Sequence, residues 1–308
     1  MYYFIVNPNS CSKKGGKIWA EIEKKLKEDN IQYKLFMTNH RYHATEIIKS
    51  LTLEAKPKII VVVGGDGTIN EVINGIINVK SVTLGYIPAG SSNDLARYLK
   101  LPREPLEALN LILNPKYFTL LDIGRVSYGT SSRRFLVSCG IGLDAGVCHE
   151  ALDSELKTRL NKFNLGSLTY AGIAIKQLIK CNPSKGIVIL DDSKRLNFDN
   201  VYFTTILNSP YEGGGFKLCP KARPDDSYLD VIVVDNIIKL KMLMLFPIAH
   251  FGLHTKIKGV HIYRCKSAEI HLSKKSPVHT DGESCFLQNR ISALAEEEQI
   301  RFITNTSF

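Results

Sequence analysis

The first hundred residues alternate short apolar runs with segments whose apolar residues recur at helical spacing. YYFIV (2–6) leads to KIWAEIEKKLKE (17–28), where Ile18, Ile22 and Leu26 share a face. IQYKLFM (31–37) leads to HATEIIKSLTLEA (43–55), and KIIVVV (58–63) and TLGYIP (83–88) each run into a glycine-rich turn and a further helical pattern. Strands alternating with helices predict parallel pairing in an α/β domain, with ligands at the carboxyl ends of the strands. After about residue 120 the pattern turns to β-type runs: RRFLVSCGI (133–141), GIVILDD (186–192), NVYFTTIL (200–207), YLDVIVVD (228–235) and HIYRCKSAEIHLS (261–273). Apolar helical stretches at 165–180 and 237–257 interrupt them, which predicts a second, mostly antiparallel β domain with helical insertions. The expected boundaries are 1–121 for the α/β domain, completed by 287–308, and 122–286 for the β domain.

Composition narrows the class. With 308 residues, 44% hydrophobic and 23% charged, the chain can bury two cores and is not a disordered tract. A net charge of +10 favours an anionic partner, a nucleotide or an acidic membrane surface. That charge is spread out, with no recognition helix or aromatic-interleaved basic run, so no nucleic-acid partner is expected. Seven cysteines without any CxxC argue against a disulfide framework and a zinc site, and they suit a reducing cytosol. The N-terminus lacks the features of a signal peptide, and MLMLFPIAHFGL (242–253) is too short to span a bilayer, so any membrane contact is expected to be peripheral.

The chemistry gathers around VVVGGDGTINE (61–71). Gly64, Gly65, Asp66, Gly67 and Thr68 join a strand to a helix start, whose unpaired N–H groups and partial positive charge suit a phosphate. The stretch is not a Walker A loop, and Asn70 stands where a dinucleotide fingerprint needs its third glycine. PAGSSNDLAR (88–97) repeats the design of strand, glycine turn and helix start, and two such loops at neighbouring strand ends would converge on one polyphosphate. Phosphoryl transfer asks for charge neutralisation and a proton acceptor, and Asp66, Asp122, Asp225, Asp226, Asp281 and Glu283 are the candidate carboxylates. His250 and His254 lack a third ligand and read as packed residues, while His40 and His43 carry no assigned role.

GGDGTINEVING with PAGSSNDLAR, preceded by NPNS and followed by GGGFKLCPKARPDDSYLDVIVV (213–234) and TDGES (280–284), resembles the diacylglycerol kinase catalytic-domain family. Its soluble bacterial lipid kinases are related to sphingosine and ceramide kinases. The resemblance implies an α/β domain with a parallel sheet plus a mostly antiparallel β-sandwich domain, with nucleotide in the cleft between them. It also implies ATP-dependent phosphorylation of the primary hydroxyl of diacylglycerol or a related lipid, within lipid metabolism. Carried onto matching positions, it assigns ATP contacts to Asn7, Pro8, Asn9, Ser10, Cys11, Thr38, Gly64, Gly65, Asp66, Gly67, Thr68, Ile69, Asn70 and Ser91. Cys11 replaces the usual glycine and Ser91 the usual threonine. Glu283 is implied as the proton acceptor, with Asp281 beside it. Mg²⁺ is implied at the Asp226 carboxylate and the backbone carbonyls of Arg223 and Tyr228, with Asp122 joining through water.

Lys157, Arg159, Lys162, Lys239, Lys241, Lys256 and Lys258 flank the two helical stretches and suit an anionic leaflet. The expected location is cytoplasmic, peripheral at the inner membrane face. Two alternatives remain: a kinase of a soluble acceptor, as an NAD kinase is, and a catalytically silent nucleotide- or membrane-binding regulator. The lipid and the oligomeric state, a homodimer included, stay open.

Overall fold

The computed structural model describes residues 1–153 and 166–306. They form two compact units, Met1–Leu121 with the segment from Glu298 onward, and Asp122–Glu297.

In the first unit β1 (Tyr2–Val6), β2 (Tyr33–Met37), β3 (Lys58–Gly64) and β4 (Val82–Pro88) lie parallel, joined by α1 (Ser10–Glu28), α2 (His43–Leu51) and α3 (Asp66–Gly75). After α4 (Asp94–Tyr98) and α5 (Pro105–Leu113), β5 (Tyr117–Leu121) forms one edge of the sheet. Val61, Val62 and Val63 are all fully buried, because helices cover both faces of a parallel sheet and the strand has no solvent side to alternate toward. Trp19, Ile22 and Leu26 of α1 pack on Phe4, Val61 and Val63.

The second unit is antiparallel. It comprises β6 (Gly124–Tyr128), β7 (Ser131–Phe135), β8 (Ser138–Gly142), β9 (Ser184–Leu190), β10 (Lys194–Leu207), β11 (Leu229–Asp235), β12 (Val260–Cys265), β13 (Ser267–Thr280) and β14 (Glu283–Ala295). The strands run in the order β12-β11-β10-β8-β13-β14-β6-β7, with β9 paired to both β10 and β13. Alternate residues, among them Ile141, Val188, Ile206, Val231, Ile270 and Ile291, meet in one core. The helices α6 (Leu143–Asp153), α7 (Gly166–Lys180) and α8 (Lys239–His250) supply a second apolar cluster through Leu143, Leu178, Met242 and Leu245. Lys157, Arg159 and Lys162 lie outside the described residues. Among the described residues, no helix is long and apolar enough to cross a membrane.

Three boundaries differ from the sequence expectation. RRFLVSCGI breaks into β7 and β8 because the Asp281 carboxylate accepts hydrogen bonds from the N–H groups of Leu136, Val137 and Ser138 at 2.9–3.0 Å. HIYRCKSAEIHLS breaks at Lys266, where Asp191 Oδ1 accepts from the N–H groups of Lys266 and Ser267 at 2.7 and 3.0 Å. The return to the first unit comes later than residue 287: the β13–β14 hairpin holds its register through Ile270↔Ile291 and Ala268↔Ala293, all buried. Only β15 (Ile300–Thr304) enters the first sheet, between β4 and β5.

Candidate active site

The carboxyl edge of the parallel sheet collects the glycine loops. β3 and β4 pair through Gly64↔Pro88, and the turns that follow touch backbone to backbone. A Cβ on Gly90 would stand 2.5 Å from Gly65 Cα, so neither loop tolerates a side chain there. Asp66, at the start of α3, accepts from the Asn93 N–H through Oδ2 at 2.7 Å and so locks one loop to the other. Asn93 stands in the left-handed region (φ 51°), with its side chain bonded to Gly90 N and O. Burial, then the charges of Asp66 and Asp94, hold the Tyr86 hydroxyl well above its usual pKa beneath these loops.

The N-terminal turn joins the same edge. Asn7 donates from its N–H to Val63 O at 2.9 Å and from Nδ2 to Thr68 Oγ1 at 3.1 Å, while Asn9 N–H returns to Asn7 Oδ1. Pro8 O accepts from Gly16 N–H, Ser10 Oγ donates to Asn7 O, and Thr38 N–H donates to Val6 O. Cys11, Ser12 and Lys13 all have positive φ (44°, 57° and 73°), the region in which glycine fits without strain. A cleft of about 500 Å³ within this unit is lined by Cys11, Gly90 and Ser91 and ringed by Lys14, Arg97, Lys100 and Arg103. Its backbone turns and four cations suit a polyphosphate. Thr68, Ile69 and Asn70 are buried in the first turn of α3, where Gly65 O accepts from the N–H groups of Thr68 and Ile69 at 3.0 and 3.1 Å.

In the second unit, Asp281 and Gly282 turn the β13–β14 hairpin with φ of 46° and 83°, and Glu283 opens β14. Both Asp281 oxygens hold backbone N–H groups, so this carboxylate shapes the turn rather than offering itself as a base. Beside the turn lies a cluster that sequence reasoning missed. His279 Nε2 is 2.9 Å from Asp144 Oδ2 and 3.1 Å from Glu212 Oε1, and Ser138 Oγ and Thr205 Oγ1 donate to Glu212 and Asp144 respectively. Burial, reinforced by the Asp144 charge, pushes the Glu212 carboxyl up to about 7. Burial also pushes Asp144 up, but His279 outweighs it and the net shift is downward. His279 is raised well above its usual value, because Cys148, Asp144 and Glu212 overcome the opposing effect of burial. Gly282 N–H points at His279 Nδ1 from 3.2 Å, a contact only the neutral ring accepts, so charging His279 and keeping that contact exclude each other. Asp144 and Glu212 also line a cavity of about 170 Å³ whose walls are otherwise mostly apolar, including Leu143, Phe216, Met242 and Phe246.

Comparison with known proteins gives the family. Residues 1–126 match the diacylglycerol kinase catalytic domain, and 139–288 match the YegS C-terminal NAD kinase beta sandwich-like domain. The Bacillus subtilis (strain 168) protein named "Putative lipid kinase YtlR" is 30% identical over 92% of this chain and 93% of its own. The chain belongs to the diacylglycerol kinase catalytic-domain family. A diacylglycerol kinase of Staphylococcus carnosus is 28% identical over 91% of the chain and 87% of its own. A crystal structure of a diacylglycerol kinase from Bacillus anthracis (strain Sterne) superposes with a TM-score of 0.73 at 21% identity, covering 99% of this chain and 96% of that one, which bears on the fold.

Within this family member the 223–228 loop carries its own architecture. Asp122, fully buried, accepts from the N–H groups of Asp226 and Ser227 through Oδ2 at 2.9 and 2.7 Å, and its own N–H donates to Pro224 O. Arg223 pairs with Asp225, and Asp226 Oδ1 accepts from Tyr228 N–H. Asp226 Oδ2 meets Arg264 Nη2 at 2.7 Å, and Arg264 stacks 4.4 Å over the Tyr228 ring. Burial raises the Asp226 pKa, and the nearby Asp122 and Asp225 charges add to it. The hard oxygen donors fit a divalent cation, and a guanidinium already stands in as the positive charge beside Asp226. An ion bound through this carboxylate has to compete with Arg264. Elsewhere, His254 is buried and donates from Nε2 toward Leu218 O, a packed role. His40, just before α2, and His43 and Glu46, in its first turn, bring one potential ligand atom each within 4.8 Å of one another, a grouping the sequence did not suggest.

Proposed function

We propose that the protein is an ATP-dependent lipid kinase. The observation that carries the reading is the pair of glycine loops clasped through Asp66 and Asn93 beside a cation-ringed cleft. In this reading Asn7 to Cys11, Thr38, the stretch Gly64 to Asn70, and Ser91 hold ATP. Lys14, Arg97, Lys100 and Arg103 balance the phosphates. The lipid's primary hydroxyl oxygen attacks the γ-phosphorus, the bond to the β,γ-bridging oxygen breaks, ADP leaves, and Glu283 takes the hydroxyl proton. Asp281 positions that turn. Mg²⁺ bound at Asp226 with the Arg223 and Tyr228 carbonyls would supply positive charge to the Asp122-centred loop.

Two features support a lipid over a soluble acceptor. One is the largely apolar cavity beside α8. The other is the set of exposed apolar side chains at the end of α7 and along and flanking α8, Ile179, Ile238, Leu240, Met244, Phe251 and Leu253, five of them beyond 60%. Lys241, Lys256 and Lys258 are exposed alongside them. Such a surface suits shallow insertion at an anionic leaflet, each well-placed Lys adding about 1 kcal/mol. The test is transfer of label from ATP, with Mg²⁺, to mixed micelles of candidate lipids, with NAD as the soluble control and Glu283→Gln as the blank. Labelled lipid that disappears in the variant is expected; label in NAD, or none at all, refutes the reading.

A further inference from the structure

Where β2 gives way to α2, three side chains able to ligate a metal meet on a fixed backbone. His40, His43 and Glu46 place one potential ligand atom each within 4.8 Å of one another. His43 and Glu46 stand three apart in the first turn of α2 and so share a helix face. The turn before the helix brings the His40 ring against the His43 ring, with centroids 4.5 Å apart and planes 22° from parallel. That turn is held from α3. Both carboxylate oxygens of Glu71 accept backbone N–H groups, from Tyr42 at 2.9 Å and Ala44 at 3.2 Å, and Thr45 Oγ1 donates to Glu71 O at 2.8 Å. The Glu71 carboxylate thereby answers the positive end of α2, so a cation approaching this end does not meet a bare helix N-terminus.

The protons are arranged to suit an ion. His40 Nδ1 donates to Arg41 O at 2.9 Å, so the neutral ring carries its lone pair on Nε2, the arrangement usual for a metal-bound histidine. His40 Nε2 is 3.8 Å from Glu46 Oε2, too far for a hydrogen bond. Ligand atoms around a tetrahedral ion with bonds of about 2.0–2.1 Å lie about 3.3 Å apart, so this gap has to close by only about 0.5 Å. Both side chains are more than half exposed, at 53% and 65%, and small rotations suffice. His43 Nδ1 accepts from the Asn39 N–H at 3.2 Å, an exposed contact. Whichever ring nitrogen of His43 binds the ion, that contact is given up to water, because Nδ1 either turns to the ion or takes the ring proton. A second grouping among the described residues, Asp144, Cys148 and His279, fails the same test. There the fully buried His279 meets the Gly282 N–H at Nδ1 and keeps a proton on Nε2, the nitrogen that faces Asp144.

We propose that His40, His43 and Glu46 form a binding site for a divalent transition-metal ion of the Zn²⁺ class. Two imidazoles and one carboxylate favour Zn²⁺ over Mg²⁺ or Ca²⁺, which take oxygen donors, and water completes the coordination. The bound ion ties the start of α2 to the loop that follows β2. The site uses none of the residues assigned to Mg²⁺ and does not depend on the lipid-kinase reading.

The full chain, stripped of metal with a chelator and dialysed, is titrated calorimetrically with Zn²⁺ in the presence of excess Mg²⁺. The first equivalent is expected to bind with a Kd of about 10 µM or tighter. His40→Ala and Glu46→Gln should each weaken that binding at least about tenfold, since loss of even an outer-shell partner costs about 10–100-fold. Cys148→Ser should leave it unchanged. X-ray absorption at the zinc edge, on the wild type with one equivalent bound, should show nitrogen and oxygen ligands at about 2.0–2.1 Å, the outer scattering of imidazole, and no sulfur near about 2.3 Å. Sulfur in the shell overturns the inference, as does binding lost in Cys148→Ser and kept in His40→Ala. Binding only at about millimolar Zn²⁺, the affinity of scattered surface groups, overturns it as well. The absorption measurement needs no variant, so it decides the matter even if a substituted chain fails to fold.

Discussion

Asp281→Ala separates shaping the hairpin turn from chemistry. The wild-type carboxylate accepts three backbone hydrogen bonds, from Leu136 at 3.0 Å, Val137 at 2.9 Å and Ser138 at 3.0 Å. Bonds to a charged acceptor contribute about 1.5–3 kcal/mol each. Water can reach part of this half-buried turn, so the net loss is smaller than the sum, about 3–5 kcal/mol. A further cost of about 1 kcal/mol follows from alanine at φ 46°. Against a domain stability of about 5–15 kcal/mol, this is a large share. Hydrogen exchange read by mass spectrometry on peptides covering 136–138 should show protection falling by about a hundredfold or more, with a lower melting temperature. Asp281→Asn tolerates the left-handed backbone and keeps one acceptor oxygen, so it should fall between. Wild-type protection and melting in Asp281→Ala would show that these three bonds contribute nothing and that the reasoning is wrong.

Gly90→Ala pushes a methyl onto Gly65 Cα, and is expected to weaken ATP binding at least about tenfold with an overpacking cost of about 1–3 kcal/mol; unchanged calorimetric affinity would refute the clasp. Glu212, held at about 7 in the folded state, binds its proton more tightly than the unfolded chain does, so it removes stability as pH rises from about 4.5 to about 7, by at most about 3 kcal/mol. His279, also raised, acts in the same direction, its contribution being lost as pH climbs through its folded pKa. Melting curves across that range should slope downward with pH in the wild type and flatten in Glu212→Gln; an identical slope in both would refute the assignment. Arg264→Ala removes the competing cation at Asp226, so Mg²⁺ without nucleotide should raise the melting temperature of the variant more than that of the wild type, and equal responses would refute the competition.

The parts of the fold that follow from neighbours along the chain were legible in the sequence. The Val61–Val63 run and the glycine turns after it announced a buried parallel strand and a phosphate-sized loop, and pairing of β3 with β4 brings the second glycine loop alongside as expected. What sequence hid was decided by residues far away. The break inside RRFLVSCGI is made by Asp281 and the break at Lys266 by Asp191, each more than seventy positions from the strands it divides. No local pattern encodes such a turn. Asp144, Glu212 and His279 were missed for the same reason: they lie far apart along the chain, and only the fold assembles them.

The position of β15 has a consequence for how the protein comes into being. This strand sits inside the first sheet, parallel to β4 and antiparallel to β5, with Phe302 and Ile303 in the core. During synthesis the α/β unit therefore leaves the ribosome with a gap in its sheet that is filled only when residues 300–304 emerge, after the whole β unit has been made. The unit translated first is the last to be completed, and until then β4 and β5 present unpaired edges to every other nascent chain nearby.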